Sequence, residues 1–379
     1  MMYLTIGDAY SGVLSSQVLD VAKRLRHIAS VKIQVVIFIS GRDFISQRKK
    51  ILSDDPDAWV LPMFPGLQNW RFNLPLLLTA VILSGSRAML CRGVIATNLG
   101  LILRRLGLVQ KVGFDARGAY HAEWTEYQVV QHPRLIQEIS DLEKQAIQTA
   151  DYRLAVSQHL IQYWQETYSY VGQDHIQVPC SLSKAFMPPL PSEEVRRQLK
   201  NQHGLSAEDI IFVYSGSQAG WQSLEILDQI AFRLISNHDH IHLLLLAQVD
   251  LNNLSVYRAY PNRVSALWVK HDQVYNILSM CDYGLMIREQ SVTNQVASPT
   301  KFAEYLAAGL EIIISPHLGD YSQMTKEQQW GYVWQDELIS HPWQQLTEAR
   351  KMYLHQQALQ HFSKEVFDPM YQQLLDGLS

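Results

Sequence analysis

Lys301 and Glu304 lie three residues apart in the stretch SPTKFAEYLAAGLEIIIS, Ser298 to Ser315. Ser298 followed by Pro299 has the form of an N-cap and a first helical residue, and Gly309 has the form of a helix terminator ahead of an apolar strand. Helical spacing then puts Ser298, Lys301 and Glu304 at i, i+3 and i+6, nearly one face, with Phe302, Tyr305 and Leu306 turned elsewhere. Such a face suits a nucleoside diphosphate. The helix N-terminus and Lys301 could neutralise phosphate charge, and a carboxylate one turn deeper could accept hydrogen bonds from ribose hydroxyls. The same two residues also read as an ordinary Lys–Glu pair on a solvated helix.

Other groups with chemical capacity follow strand-like runs. Arg288 follows DYGLMI, where a guanidinium could clamp a diphosphate and stabilise a leaving group; a structural ion pair is the alternative. Ser215, Gly216 and Ser217 end the run IIFVYS and offer close backbone approach and two hydroxyls to a phosphate. Gly7 to Gly12, GDAYSG, also sits between a strand and a helix, but it lacks the G-x-G-x-x-G spacing of dehydrogenases; Gly12 would instead give a sugar room. Asp115, Arg117, His121 and Glu123 lie in FDARGAYHAE, where any of them could orient an acceptor or a donor sugar. Asp115 and Arg117 could equally pair with each other, and spacing assigns no single general base.

The elements that must hold these groups alternate strand with helix, the pattern of parallel sheets covered by helices. Strands are expected at Tyr3–Ile6, Val31–Ser40, Trp59–Leu61, Ala88–Cys91, Lys111–Phe114, Tyr152–Val156 and His175–Val178. A second series is expected at Ile210–Ser215, His242–Ala247, Val264–Val269, Tyr283–Ile287 and Glu311–Ile314. The clearest helix, Ser15 to Ala29, puts Val18, Val21, Ala22, Leu25 and Ile28 on one stripe. Between the series, PCSLSKAFMPPLPS is too rich in proline for regular structure. This divides the 379 residues into a first domain (1–178), a linker (179–192) and a second domain (193–361), with a terminal helix (about 362–379) that could return to the first. Doubly wound domains carry ligands at the carboxyl ends of their strands, so a cleft between the two is the expected site.

Composition excludes some classes. With 47% hydrophobic and 18% charged residues the chain is globular, and its net charge of −4 gives no case for nucleic-acid binding. Cys91, Cys180 and Cys281 have no metal-ligand or disulfide-framework spacing, which suits a reducing cytoplasm. No signal peptide is read at the N-terminus. LPLLLTAVIL, Leu74 to Leu83, is too short to cross a membrane and is expected as a buried helix. LILRRLGLVQK, Leu101 to Lys111, sets basic residues among leucines as an interfacial helix does, burial of the leucines being the alternative.

The segment Cys281 to Ser315, CDYGLMIREQSVTNQVASPTKFAEYLAAGLEIIIS, resembles the donor-nucleotide signature of glycosyltransferase family 4 and its relatives, retaining enzymes of the GT-B fold. FVYSGSQAGWQ, from Phe212, resembles the first strand and loop of their C-terminal domain. ADYRLAVSQHL and HIQVPC resemble the end of their N-terminal domain. VGFDARGAYHAEW, from Val112, resembles a cleft-lining segment of relatives that build bacterial surface polysaccharides. In order along the chain, these stretches cover about a third of it.

The resemblance implies two Rossmann-like domains facing each other across a cleft, and a hexosyltransferase using a UDP- or GDP-sugar without cofactor or metal. It makes Glu304 the second carboxylate of the family's Glu-x7-Glu motif, the one that binds the donor ribose. The first carboxylate is missing: Val296 stands there, and Asn294 or Glu289 could substitute. Ser215, Gly216, Ser217, Asn294, Ser298 and Pro299 fall on the donor side, with Gly12. The acceptor would be a glycan, a lipid-linked glycan or a small molecule, met in the cytoplasm or at the inner face of a membrane. A non-catalytic nucleotide-sugar-binding protein and a nonhydrolysing sugar-nucleotide epimerase share the architecture. Asp55-Pro56-Asp57 spells the D-x-D of metal-dependent transferases of another fold, but it reads as turn chemistry, and His238, His240 and His242 lead into a strand without further ligands.

Overall fold

A computed structural model describes residues 1–29, 32–130, 132–216 and 223–379. The apolar runs of the first half become parallel strands β1 (Met2–Ile6), β2 (Gln34–Ser40), β3 (Trp59–Met63), β4 (Ala88–Arg92), β5 (Lys111–Asp115), β6 (Tyr152–Ala155) and β7 (His175–Gln177). They form a seven-stranded sheet in the order β3-β2-β1-β4-β5-β6-β7. Helices cover both faces, which is why β2 reads as an unbroken apolar run, QVVIFIS, rather than an alternation. It begins at Gln34; Val31, where the sequence suggested a start, lies outside the described residues. β3 runs on to Met63 because β2 offers it partners from Val36 to Ser40.

In the second half β8 (Ile210–Ser215), β9 (Ile241–Leu246), β10 (Val264–Ala266), β11 (Tyr283–Met286), β12 (Glu311–Ile314) and β13 (Gly331–Val333) form a six-stranded parallel sheet, β10-β9-β8-β11-β12-β13. β13 was not legible in the sequence. Three residues, GYV, are too short for a period to show, and the strand exists because Ile312 to Ile314 of β12 present a free edge.

The chain divides into two compact units: Met1–Ser181 with Val296–Ser298 and Lys364–Ser379, and Leu182–Gln295 with Pro299–Ser363. In the first unit, helix Asp368–Gly377 and Leu378 after it put Tyr371, Leu374, Leu375 and Leu378 into one core with Tyr3, Leu90 and Leu154. Arg24 pairs with Asp368 on the rim of that packing. The helix after β1 starts at Gly12, three residues before the expected Ser15, because the Ser11 hydroxyl accepts the Leu14 amide at 3.2 Å. A π turn, Ser15–Leu19, interrupts it and carries Gln17 inward, where its amide reaches the Ser181 carbonyl at 2.8 Å.

Two helices differ from expectation. Leu74–Ser84 forms but buries only Leu77, Ala80 and Val81, leaving Leu76, Ile82 and Leu83 exposed. One side of the helix meets the protein, although nearly every residue in it is apolar. Leu101 to Lys111 is not one interfacial helix. Helix Gly93–Arg105 stops within it, Leu101 and Leu103 are core residues, and Arg104 is held by Asp151 and by the Thr149 carbonyl.

Candidate functional site

In each sheet the strand order reverses once, and the crevice outside the strand carboxyl ends at that point is where doubly wound folds take ligands. In the second unit the reversal lies between β8 and β11, whose ends deliver Ser215, Gly216 and Arg288. In the first it lies between β1 and β4, whose ends deliver Asp8 and Arg92.

The second-unit crevice is built from hydrogen bonds within the loop after β11 and from that loop and β8 to more distant segments. Arg288 donates its backbone N–H to the Ser315 hydroxyl at 2.8 Å, and its guanidinium lies 3.3 Å from Asn294 Oδ1. Asn294 is fully buried and donates its own amide to the Glu289 carbonyl at 3.1 Å, so it shapes the loop after β11 from within. Helix Thr300–Ala307 follows. Lys301 Nζ and Glu304 Oε2 meet at 2.8 Å; the Lys301 side chain is 28% exposed and that of Glu304 9%. The pair is thus assembled, with the lysine toward solvent and the carboxylate below it. On the inner side of the helix the Tyr305 hydroxyl accepts the Ser215 amide at 2.8 Å, fixing the end of β8 against the helix. Gly284 permits this: a Cβ there would stand 2.3 Å from the Tyr305 ring. Gly216 is half-buried; Ser217 lies outside the described residues.

Ser298 does not cap that helix. Pro299 occupies the cap position with extended backbone, no side chain caps the first turn, and the Ser298 hydroxyl accepts the Cys180 amide at 2.9 Å. A partner more than a hundred residues away outcompetes the local cap. Val296 is buried, and its carbonyl accepts the Ser157 hydroxyl at 2.7 Å, so this position presents no side chain to a sugar.

In the first unit Asp115 is completely buried and is the hub of the strand ends. It accepts the Tyr3 hydroxyl at 2.6 Å, takes Arg117 against both its oxygens at 2.8 and 3.1 Å, and has Arg92 at 3.7 Å. Arg92 also stands 3.8 Å from the more exposed Asp8. Asp115 and Arg117 therefore brace each other, Asp8 is the more exposed carboxylate at this end of the sheet, and Tyr120, His121 and Glu123 lie half-buried on the helix Tyr120–Glu126. Sequence reasoning missed Arg92, Asp8 and Tyr120. A signal existed, since Arg92-Gly93 directly follows a strand, but only the β1–β4 register brings them together. Gly93 is required there: its φ is +80°, and a Cβ would stand 2.9 Å from the Tyr120 hydroxyl. Gly12 lies at the same strand end, its carbonyl accepting the Ser16 hydroxyl at 2.7 Å.

Helix Tyr120–Glu126 is held at its start by Glu143, a fully buried carboxylate that accepts the Tyr120 and His121 amides at 2.8 and 2.9 Å and the Tyr168 hydroxyl at 2.9 Å. Burial pushes Glu143 up to about 7 against these bonds. Glu123, one turn on, is pushed up to about 7 by burial alone. Its proton is therefore held more tightly in the folded than in the unfolded chain. Its stabilising contribution is complete below its ordinary value of 4.5 and disappears as pH rises through about 7. Glu123→Gln should accordingly melt with a flatter pH dependence than wild type between those values. Parallel melting curves for the two proteins would show that Glu123 is solvated.

Asp55 is not placed for a metal role. It is bound by Arg26 at 2.9 and 2.8 Å, and it precedes β3, at the opposite end of the sheet from Arg92 and Asp8. The ring of His238 reaches the Ile339 carbonyl at 2.7 Å, and that of His242 the Ser265 hydroxyl at 2.9 Å. Among the described residues no three His, Cys, Asp or Glu side chains gather as a metal site, and no helix is long and apolar enough to cross a membrane.

No protein-family model matches the sequence, and no curated protein does. Solved structures do. WaaG, a glycosyltransferase involved in lipopolysaccharide biosynthesis, matches with TM-score 0.67 at 11% identity over 100% of this chain and 99% of its own. Sucrose-phosphate synthase from Thermosynechococcus elongatus matches with TM-score 0.68 at 16% identity, covering 100% and 98%. A protein provisionally assigned as a UDP-N-acetylglucosamine 2-epimerase, from Listeria monocytogenes, matches with TM-score 0.52 at 11% identity, covering 98% and 90%. The chain has the GT-B fold of two Rossmann-like domains. At these identities the likeness fixes the fold alone, and function has to be argued from the site.

Proposed function

We propose that this chain is a glycosyltransferase of the family 4 type. It moves a hexose from a UDP- or GDP-sugar to a glycan, lipid-linked or small-molecule acceptor, without metal and with retention at the anomeric carbon, in polysaccharide synthesis in the cytoplasm. The observation that carries the reading is the Lys301–Glu304 pair on the helix that follows β11, with Arg288 at the end of β11, the strand beside the reversal of the second unit. Glu304 holds the donor ribose. Arg288 and Lys301 meet the diphosphate and stabilise the charge that grows on it as the bond from the anomeric carbon to the phosphate oxygen breaks. His121 and Glu123, with Tyr120, Arg92 and Asp8, serve the acceptor or the transferred sugar, and Asp115 and Arg117 hold them in place.

Incubation with a panel of nucleotide sugars, with and without glycan acceptors, tests this by the release of nucleoside diphosphate. Binding without release would replace the transferase by a non-catalytic binder, a reading that the apolar Val296 supports. Epimerised nucleotide sugar formed without acceptor would replace it by an epimerase. Because two cations serve the diphosphate, turnover should persist in excess chelator. Complete loss with EDTA that manganese restores would return Asp55 and Asp57 to consideration and remove the metal-free phosphate site.

A further inference from the structure

The helix Leu74–Ser84 shows solvent an arc with no charged or amide side chain. Its exposed residues, Pro75, Leu76, Thr79, Ile82 and Leu83, fall on one side at helical spacing, and Phe72 extends that side back by a turn. Phe72, Ile82 and Leu83 are 71%, 64% and 73% exposed. A water-facing helix ordinarily carries its charges on this arc. The apolar surface continues past both ends. Toward β4, the Gln110 amide bonds the Arg87 carbonyl at 2.7 Å, which places exposed Leu106 and Leu108, just before β5, beside the end of the helix. Toward β3, exposed Phe64 leaves the sheet next to the end of β2, where Ser40 and Met63 are register partners and the chain turns at Arg42–Asp43 into the helix Phe44–Asp54 with its exposed Ile45.

Cations frame this face. From Ala58 to Phe114 the sequence has no Asp or Glu, but it has Arg71, Arg87, Arg92, Arg104, Arg105 and Lys111. Arg71 pairs with Glu138 at 3.2 Å and Arg104 with Asp151, whereas Arg87 and Arg105 face solvent at the Leu83–Leu106 end.

We propose that this face docks on an anionic lipid bilayer, its apolar side chains entering the interface and its arginines meeting lipid phosphates. The helix has 11 residues, about half of a membrane span, so it lies in the interface rather than crossing it. A second copy of the chain fits less well, because a twofold contact centred on this helix, which carries no acid, would bring Arg87 and Arg105 of both copies toward one apolar seam. The docking does not depend on the transferase reading.

Flotation of the full chain with vesicles of phosphatidylcholine alone, and of phosphatidylcholine mixed with phosphatidylglycerol, tests the proposal. Wild type is expected to float with the mixed vesicles only and to be released by salt. Ile82→Asp with Leu83→Asp, at exposed positions outside the proposed site, should lower the bound fraction about tenfold with an unchanged melting curve. Arg87→Gln with Arg105→Gln should lower it without touching the apolar arc. Equal flotation of wild type and the aspartate variant would overturn the proposal, as would no flotation at low salt. A dimer that the aspartate substitutions abolish, without vesicle binding, would assign the face to self-association. Nucleotide release with a soluble acceptor, measured on the same proteins, keeps any such failure distinct from failure of the transferase reading.

Discussion

Replacing Lys301 by alanine is expected to lower kcat about a hundredfold or more, because the charge it meets grows as the sugar leaves. Diphosphate binding should suffer far more than nucleoside binding. Glu304→Gln should do something different in kind. It keeps the shape of the side chain but weakens charge-assisted bonds to ribose hydroxyls, at a cost of about 1.5 to 3 kcal/mol in affinity for nucleoside and nucleotide alike. The two residues touch at 2.8 Å, so each substitution also removes an ion pair, and a melting curve has to accompany each binding isotherm. The lysine's exposure keeps that structural component small. Calorimetric titration with uridine, guanosine, UDP and GDP, set beside single-turnover rates, separates the effects. Lower melting temperatures with intact donor affinity for both variants would make the pair a plain salt bridge and move the donor site elsewhere.

Asp115→Ala should strongly destabilise the first unit. The carboxylate is fully buried between Arg117 and Arg92 and accepts the Tyr3 hydroxyl, so its removal leaves two largely buried cations and a phenol without their shared acceptor. Breaking a buried charge cluster from one side costs about 3 to 5 kcal/mol. Asp115→Asn should cost less, because it retains an acceptor for Tyr3. Urea denaturation of the three proteins gives the numbers, with donor affinity expected to survive at concentrations where the chain stays folded. A loss below about 1 kcal/mol would mean that water reaches both arginines and that Asp115 belongs to the binding surface rather than to its support.

The sequence by itself determined what depends on near neighbours. Strand runs such as IIFVYS and EIII appear where they were read, because buried parallel strands need only a local apolar run. Lys301 and Glu304 meet because three residues are about one helical turn, and Asp115 and Arg117 because they sit two apart at a strand end.

Tertiary structure decided what depends on which distant segment arrives. Ser298 has the form of a cap, yet Cys180 claims its hydroxyl. Arg92, Asp8 and Tyr120 carry no local signature and become neighbours only through the register of β1 with β4 and the placement of helix Tyr120–Glu126 by Glu143. Leu74–Ser84 shows the limit most clearly. An apolar helix has no polar face from which to read its orientation, so its sequence fixes that it is helical and leaves which side meets the protein to the packing around it.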